Sequence, residues 1–210
     1  MRLYFARHGE SLANTTRTFS NRNAWHPLTE RGQQQAAELA TTMATEAPSH
    51  IFCSPAVRAQ QTAAIVGTFF GIEPSTVEAL REFDVGQWEG TDSAEGWTEW
   101  ERVVEQWRSG AMDARVSHGE SLTDIVTRMR AWLETLRSQR SPDDRVLIVA
   151  HGGIYHAALP HILAGIDHAC SWDNRLGHCD TVLAEDDGSG AWRVLRWGDK
   201  NMNCRQRAGE

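Results

Sequence analysis

Two histidine–glycine pairs are the most informative feature of the chain. His8-Gly9 follows the apolar-rich run at residues 3–6, and His151-Gly152 follows the apolar run at residues 146–150. Both runs predict buried strands, and open α/β sheets bind their ligands outside the carboxyl ends of the strands. Both imidazoles are therefore expected at one crevice, which indicates a histidine-centred phosphate site.

Two arginines could complete such a site. Arg7 directly precedes His8, and Arg58 lies about one turn into a helix that we expect to start at Ser54-Pro55 and to end at Gly71. Serine as N-cap, proline at the first helical position and glycine as the stop give this prediction. A helix N-terminus suits a phosphate oxygen, and two arginines can fork around a tetrahedral dianion in ways that lysine cannot.

Each of these residues, taken alone, also has an ordinary structural explanation. Arg7 could form a surface salt bridge, and Arg58 could be solvated. His151 could be a hydrogen-bonded core histidine, and Ser54 is first of all an N-cap. The phosphate site is favoured because three independent strand ends would otherwise present such groups by accident. The glycines beside them are expected to let a ligand approach the backbone; they are Gly9, Gly152 and Gly153.

The elements that must position these residues predict an α/β fold. Residues 51–53 form a third short apolar run, a helix begins at Thr29, and apolar residues at helical spacing between Leu122 and Leu136 indicate another helix. Strands that alternate with helices favour a three-layer sandwich with a mostly parallel central sheet and helices on both faces. Residues 181–184 and 192–197 are expected to form an antiparallel hairpin at one edge.

The same pattern predicts one domain over residues 1–210. A polar loop is expected at residues 14–27, a small helical cap insertion at about 91–118, and a flexible tail at about 199–210. Within the cap, a short helix is expected around Trp97 to Trp107. Trp97 and Trp100 either stack on a base or sugar of the ligand or pack the cap onto the body, and packing is the more common role.

The composition limits the partners. The chain has 210 residues and a formal net charge of -7, whereas a nucleic-acid binder normally shows a basic face. It shows no signal peptide and no apolar stretch near the ~18 residues of a membrane span, so we expect a cytoplasmic protein without a membrane partner. Four cysteines without a CxxC spacing are expected to be reduced thiols. A small phosphorylated metabolite is the expected partner, and a homodimer is left open.

No metal or other cofactor is expected. His151, His156 and His161 are five residues apart, which spreads them around a helix instead of placing them on one face. His8, His118 and His178 show no ligand spacing either. The histidines of the site are therefore expected to act on phosphate directly.

Several motifs resemble those of the histidine phosphatase superfamily, which has the phosphoglycerate-mutase-like fold. They occur in the family's order, cover residues 1 to about 155, and are very specific when taken together. They are Arg7-His8-Gly9-Glu10-Ser11 with Asn14, Leu28-Thr29-Glu30-Arg31-Gly32, the segment 54–62, Glu82 within the segment ending Trp88-Glu89-Gly90, Gly119-Glu120-Ser121-Leu122, and Val149-Ala150-His151-Gly152-Gly153.

This resemblance implies a role for each site residue. His8 would be a neutral nucleophile that becomes a phosphohistidine, with its other ring nitrogen held by a backbone carbonyl. Glu82 would be the proton donor, with Asp84 and Glu89 as rival carboxylates. The phosphoryl oxygens would be held by Arg7, Arg58 and His151. The remaining substrate contacts would come from Asn14, Ser11 and Gly152.

Within the family, the phosphatase branch is favoured over the mutases. Mutases carry a longer insertion with a basic pair and a lysine, whereas this cap has only the scattered arginines Arg102, Arg108 and Arg115. The loop at residues 14–27 also lacks the Gly-Trp pattern of the mutases, and the short tryptophan-rich cap resembles that of the phosphatases. The chain is thus expected to be a metal-independent phosphomonoesterase, with mutase-type phosphoryl transfer as the alternative.

Two other protein classes compete with this interpretation. An α/β-hydrolase esterase requires a Gly-x-Ser-x-Gly elbow, and the chain has no such pentapeptide. A non-catalytic phosphate-binding or interaction domain stays open, although the nucleophile and the acid are both present. Near the last strands, either Asn174 or His178 could take the place of an asparagine that the family uses at the site.

Overall fold

A central sheet organises the residues that the computed structural model describes, which are 1–22, 25–186, 188 and 190–202. Its strands run in the spatial order β3-β2-β4-β1-β6-β7-β5, with β8 beside β7. The strands are β1 (Arg2–Arg7), β2 (His50–Cys53), β3 (Ser75–Thr76), β4 (Arg145–Ala150), β5 (Leu163–Ala164), β6 (Thr181–Asp186), β7 (Trp192–Trp197) and β8 (Lys200–Asn201).

Helices connect the strands and cover the sheet. The α-helices are α1 (Leu12–Thr16), α2 (Glu30–Thr42), α3 (Val57–Phe70), α4 (Ala94–Arg108), α5 (Leu122–Gln139), α6 (Gly152–Ile162) and α7 (His168–Asp173). Short 3-10 turns lie at Met43–Thr45, Glu78–Leu80 and Gly86–Trp88. No helix in the described part of the chain is both long enough and apolar enough to cross a membrane.

The strands that precede the site residues are parallel and adjacent. β4 lies between β1 and β2 and pairs with both in parallel. The hairpin of β6 and β7 is antiparallel and joins the sheet through an antiparallel pairing of β6 with β1. The mostly parallel sheet and the terminal hairpin are therefore confirmed.

Alternating side chains of the central strands feed two separate cores. Leu3 and Phe5 of β1 pack into one core with helices α5 and α6, whereas Tyr4 and Ala6 pack into the other with α2 and α3. Buried strands of this kind read as continuous apolar runs because both faces are covered. The three-layer architecture with helices on both faces is confirmed.

Local signals at helix ends mostly act as expected. Thr29 is the N-cap of α2 and accepts a hydrogen bond from the Gly32 N–H, and Gly71 ends α3 with a positive φ of 69°. The apolar stripe of α5 is buried as predicted. The expected loop at residues 14–27 is in part helical, because Ser11 and Asn14 form a capping box that starts α1; its residues 23 and 24 lie outside the described part.

The cap helix α4 is longer than predicted because Ser93 caps it and accepts a hydrogen bond from the Gly96 N–H. Trp100 stacks on Phe83 with ring centroids 3.9 Å apart, and Trp97 stacks on Phe19 at 4.1 Å. Both rings therefore pack the cap onto the body. The chain continues as β8 within the segment expected to be a flexible tail, whereas residues 203–210 lie outside the described part.

Candidate active site

Three strand ends meet at one edge of the sheet. His8 follows β1, Ser54 follows β2 and His151 follows β4. The register places Arg7 beside Ala150 and Cys53 beside Val149, so the three strands end level with one another. The imidazole rings of His8 and His151 lie 5.1 Å apart, as the sequence predicts.

His8 is a buried imidazole whose tautomer is fixed by its neighbours. Its Nδ1 lies 2.7 Å from the Gly9 carbonyl oxygen, and its Nε2 lies 3.1 Å from the Arg58 Nε. Because the Arg58 N–H can only donate, we assign the proton of His8 to Nδ1 and a lone pair to Nε2. Burial, and then the Arg58 charge, hold the pKa of His8 well below its usual range, so the ring is neutral.

Arg58 bridges the two histidines. Its Nε donates to His8 Nε2, and its Nη2 donates to His151 Nδ1 over 3.1 Å. The third nitrogen, Nη1, lies 3.5 Å from the Ser20 hydroxyl. Arg58 is the second residue of α3, nearer to the helix start than predicted, and it is buried. One guanidinium plane thus orients both imidazoles at the helix N-terminus.

Ser54 belongs to the site and is not the N-cap of α3, so that prediction is wrong. The helix begins at Val57 with Ala56 in extended conformation as its N-cap, and Ser54 Oγ accepts from the Ala56 N–H within the preceding bend. The same oxygen lies 2.7 Å from His151 Nε2. Since His151 Nδ1 accepts from Arg58, we assign the His151 proton to Nε2, which donates to Ser54.

Arg7 is the last residue of β1, and its side chain is held by the segment before β6. Its Nη1 donates to the Leu176 carbonyl over 2.7 Å, and its Nη2 lies 3.1 Å from His178 Nε2. The His178 ring is 6.1 Å from that of His8. Burial, followed by the Arg7 charge, lowers the pKa of His178 to about 4, so this ring is a neutral acceptor for Arg7.

His178, and not Asn174, lies at the site. The Asn174 amide nitrogen donates to the Cys170 carbonyl, and its side-chain oxygen accepts from Lys200. The Asn174 backbone carbonyl accepts from the Trp197 indole. These contacts bind Asn174 to α7 and to the last strands, which decides between the two alternatives that the sequence left open.

The Glu82 carboxylate lies against the N-terminus of α6, the helix that begins directly after His151. Its Oε1 accepts from the Phe83 and Ile154 N–H groups, over 3.1 and 2.9 Å, and its Oε2 accepts from the Gly153 N–H over 3.2 Å. Burial raises the pKa of the Glu82 carboxyl, while the backbone donors and Arg58 partly oppose that shift. A raised pKa lets a carboxyl group keep its proton to higher pH than an ordinary carboxyl, which suits a general acid.

The two rival carboxylates are bound to residues 21 and 22, in the loop after α1. Asp84 pairs with the Arg22 guanidinium at 2.6 Å and accepts from the Gly86 N–H. Glu89 accepts from the backbone N–H groups of Asn21 and Arg22. Both are therefore occupied in shaping the loop, which favours Glu82 as the acid.

The three glycines make room for neighbouring protein groups, and the approach of a ligand to them stays a prediction. A Cβ on Gly9 would lie 2.4 Å from the Gly32 carbonyl oxygen, where β1 meets α2. On Gly152 it would meet the Arg7 side chain at 3.2 Å. On Gly153 it would lie 2.2 Å from the Phe83 ring and 2.8 Å from the Glu82 carboxyl. Gly152 and Gly153 thus let Arg7 and Glu82 reach the site.

Ser11 and Asn14 are joined to each other. The Asn14 Oδ1 accepts from the Ser11 N–H and from its hydroxyl, over 3.0 and 2.8 Å, at the start of α1. Ser11 is buried, whereas Asn14 is exposed. A contact of either side chain or of Gly152 with substrate stays a prediction.

Two supporting residues were missed in the sequence. Thr62 accepts from the Gly9 N–H over 3.1 Å and holds the loop after β1, and Ser20 lies between His26 and Arg58. Thr62 sits within one of the family motifs, four residues after Arg58 on the same helix face. Nothing in the sequence singles out Ser20. In the described part of the chain, no group of three or more His, Cys, Asp and Glu side chains could hold a metal ion.

Comparison with known proteins agrees with this geometry. The family model of the histidine phosphatase superfamily (branch 1) matches residues 3–200. The chain belongs to the histidine phosphatase superfamily. A relative in this family is the probable phosphoglycerate mutase GpmB of Escherichia coli O1:K1, which is 30% identical over 201 residues, 94% of this chain and 90% of the relative.

Solved structures of phosphatases share the fold of this superfamily member. A mycobacterial glucosyl-3-phosphoglycerate phosphatase, solved with VO3, has a TM-score of 0.82 and 26% identity over 95% of this chain and 99% of its own. The α-ribazole phosphatase of Shigella flexneri has a TM-score of 0.77 and covers 94% of this chain and 96% of its own, and its 24% identity supports the fold alone.

Proposed function

We propose that this member of the histidine phosphatase superfamily is a metal-independent phosphomonoesterase that hydrolyses a small phosphorylated metabolite through a phosphohistidine on His8. One observation carries the proposal: a neutral imidazole keeps its lone pair on Nε2, where it accepts from the Arg58 Nε–H, while its Nδ1–H is held by the Gly9 carbonyl. Only the neutral ring is a nucleophile, and the fixed tautomer selects Nε2.

The first half-reaction moves the phosphoryl group from the ester oxygen to His8. The Nε2 lone pair forms the N–P bond while the P–O bond to the alcohol breaks and its electron pair leaves with the oxygen. Without substrate, His8 Nε2 accepts a hydrogen bond from the Arg58 Nε–H. When the ester binds, a phosphoryl oxygen accepts from that N–H instead, so the Nε2 lone pair is free to attack. Arg7 and Arg58 then face the charged equatorial oxygens, where fixed donors are worth most. His151 joins them when its Nε2–H exchanges Ser54 Oγ for a phosphoryl oxygen.

Glu82 supplies the proton that the leaving oxygen needs. In the second half-reaction the resulting carboxylate takes a proton from the water that attacks phosphorus, which frees His8 and releases inorganic phosphate. The raised pKa of Glu82 supports the acid role, and the N–H groups at the start of α6 support the carboxylate that follows. The proposed mechanism uses no metal, because Arg7 and Arg58 supply positive charge at the phosphoryl group.

A mutase is the second candidate, because the GpmB relatives are named as probable phosphoglycerate mutases. Both reactions share the phosphohistidine and differ in the acceptor, which is water for a phosphatase and a second hydroxyl for a mutase. The structural likeness to the mycobacterial phosphatase, whose structures include complexes with VO3 and with inorganic phosphate, favours water as the phosphoryl acceptor.

We also propose a cytoplasmic location for the protein. Light scattering would measure whether it forms a homodimer.

The test is release of phosphate from a panel of phosphorylated metabolites, in the presence of a metal chelator. The blank is His8→Ala. The matched control is His50→Ala, because His50 starts β2 and so lies at the end of that strand away from the site. Phosphate release by wild type and by His50→Ala, but not by His8→Ala, supports the phosphatase. Isomerised phosphate esters would identify a mutase, and binding of phosphate without any turnover would identify a non-catalytic domain.

A further inference from the structure

The motif glutamate Glu120 takes no part in the two half-reactions, yet its carboxylate binds the chain on both sides of Glu82. Its Oε1 accepts from Arg81 Nη2 over 2.6 Å, and its Oε2 accepts from the Asp84 N–H over 3.0 Å. Glu82 lies between these two residues. We propose that Glu120, together with Arg128 of α5, is a positioning residue for the general acid Glu82. This inference rests on the phosphomonoesterase activity proposed for the same site.

Arg128 reaches from α5 to the same carboxylate and to the backbone before Glu82. Its Nε donates to Glu120 Oε1 over 3.0 Å, and its Nη2 donates to Oε2 over 3.1 Å. This bidentate pairing is a geometry that a lysine cannot form. The third nitrogen, Nη1, donates to the Ala79 carbonyl over 2.5 Å. The chain is therefore held at residues 79, 81 and 84, before and after the acid.

The backbone around Glu120 is fitted to the same segment. The Glu120 N–H donates to the Asp84 carbonyl over 2.9 Å. A Cβ on Gly119 would lie 2.5 Å from that carbonyl oxygen, so a side chain at this position would displace the segment. Ser121 is the N-cap of α5, the helix that carries Arg128. The family motif thus joins the start of α5 to the segment of the acid.

The Glu120–Arg128 pair is buried, unlike the surface ion pairs that contribute little. The side chain of Glu120 is 12% exposed and that of Arg128 is 14% exposed. Burial lowers the pKa of Arg128, and the Glu120 charge acts in the opposite direction. Loss of one partner leaves a buried charge without its counter-ion. A change in either residue should therefore alter both the position of the segment and the charge near the acid.

Several groups act on the Glu82 carboxyl from the elements around it. Burial raises its pKa, and backbone N–H groups, Arg58 of α3 and Arg128 of α5 oppose that shift. Arg7 of β1 also interacts with the Glu82 charge. Tyr155 of α6 is neutral, because burial raises its pKa well above the usual range. Among these groups, Arg128 is the one whose charge is directly paired with Glu120.

The two members of the pair should have opposite effects on the acid. Glu120 offsets the charges of Arg128 and Arg81, so Glu120→Gln should lower the pKa of the Glu82 carboxyl. Arg128→Met removes a positive charge that favours the carboxylate, so the same pKa should rise. A purely structural role predicts no such opposition.

The pH dependence of two esters tests the inference. n-Propyl phosphate needs the acid, whereas p-nitrophenyl phosphate hardly does. Each kcat is divided by the wild-type value for the same ester at the same pH, so that the titration of the ester cancels. We expect Glu120→Gln to lose about tenfold or more on n-propyl phosphate and less than about threefold on p-nitrophenyl phosphate. Its activity on n-propyl phosphate should also begin to fall at lower pH than that of wild type.

Two variants of Arg128 separate charge from geometry. Arg128→Met should retain activity on n-propyl phosphate to higher pH than wild type. Arg128→Lys keeps the charge without the fork, so its kcat on this ester should fall by about tenfold while the pH at which activity falls stays the same. Glu134→Gln on α5 and Arg102→Met on α4 are exposed controls and should match wild type on both esters.

The outcomes separate this proposal from that of the phosphatase. Equal losses on both esters, or pH profiles that move in the same direction in Glu120→Gln and Arg128→Met, overturn the positioning role. If thermal melting shows that Glu120→Gln does not fold, Arg128→Lys decides: a selective loss on n-propyl phosphate supports the role, and an equal loss or none overturns it. If wild type releases phosphate from neither ester, the phosphatase proposal fails and the positioning role fails with it.

Discussion

At the scale of single residues, Arg58 sets the protonation of the site. One guanidinium donates from Nε to His8 and from Nη2 to His151, so it determines which nitrogen of each ring keeps a lone pair. Its charge also helps to keep both rings neutral, since burial and then Arg58 lower the pKa values of His8 and His151 well below the usual range. The two donations require the planar fork of arginine, whereas the charge alone would be kept by a lysine.

Arg58→Lys is therefore expected to be a severe change despite the retained charge. An ammonium group cannot donate to both imidazoles in one plane, and it presents a single point charge to the phosphoryl oxygens. We expect kcat for p-nitrophenyl phosphate to fall by about 10²–10³-fold, as for loss of a transition-state donor. Arg102→Lys, an exposed arginine of α4, serves as control. Activity of Arg58→Lys within a few fold of wild type would contradict the role given to Arg58.

The Glu82 carboxyl should divide substrates by leaving group. Its raised pKa means that the protonated acid persists to higher pH than for an ordinary carboxyl, and the rate for an alkyl phosphate should fall as pH rises through that pKa. Glu82→Gln should slow alkyl phosphates by about 10²–10⁴-fold and p-nitrophenyl phosphate far less, because p-nitrophenolate leaves without a proton. An equal loss on both esters would transfer the acid role to another carboxylate.

At the scale of elements, the start of α6 positions both the acid and an arginine. The glycines there admit the side chains of Arg7 and Glu82, and the free N–H groups of Gly153 and Ile154 bind the Glu82 carboxylate. The glycines of the family motif at residues 149–153 are thus needed for the packing around the site, in addition to the role of His151.

Gly153→Ala should reveal this packing. The new Cβ would lie 2.2 Å from the Phe83 ring and 2.8 Å from the Glu82 oxygens, so both must move. We expect a loss of about 1–3 kcal/mol in the free energy of unfolding, typical of overpacking, together with a loss of alkyl phosphatase activity. Thermal melting and kinetics measure the two effects. Ala131→Ser, on the exposed face of α5, controls for a small added atom that meets no packed neighbour. An unchanged enzyme would show that the Glu82 position is not fixed by Gly153.

The sequence predicts long elements better than short ones, for identifiable reasons. β1 and β4 are visible because buried parallel strands are continuous apolar runs. β3 and β5 have two residues each, too few for any period. The predicted start of α3 is too early because Ser54-Pro55 has the residue types of a helix start. In the structure the Ser54 hydroxyl instead contacts His151 and the Ala56 N–H of the bend.

At the scale of the whole molecule, the strand ends converge, which explains why the sequence predicts the position of the site but not its individual contacts. His8, His151 and Arg58 follow three strands whose register is fixed by the parallel pairing of β1, β4 and β2. Contacts between loops have no such rule. The approach of Ser20 to Arg58, and the choice of His178 over Asn174, depend on loop paths that no local pattern encodes.

The buried imidazoles should make the fold sensitive to acid. Burial lowers the pKa values of His156, His168 and His178 to about 4, and those of His8 and His151 lie well below their usual range. Unfolded imidazoles take up protons below about pH 6.5, so the unfolded state then binds more protons than the folded state. The free energy of unfolding should therefore fall as pH drops from about 6.5 to about 4.

Urea unfolding at about pH 7.5 and about pH 5 measures this loss. Glu82 acts in the opposite direction, because its raised pKa lets the folded state take up a proton first. One carboxyl opposes five imidazoles, so the net slope should keep its sign. A transition midpoint that is equal at both pH values would contradict the burial of neutral histidines.

The central claim is that His8 carries the phosphoryl group during turnover. The most direct measurement is rapid mixing with a phosphomonoester, an alkaline quench that preserves phosphohistidine, and peptide mass spectrometry. A phosphohistidine mechanism predicts a phosphoryl adduct on His8 that forms within one turnover, disappears when substrate is exhausted, and is absent from His8→Ala. An adduct on another residue, or wild-type turnover by His8→Ala, would contradict it.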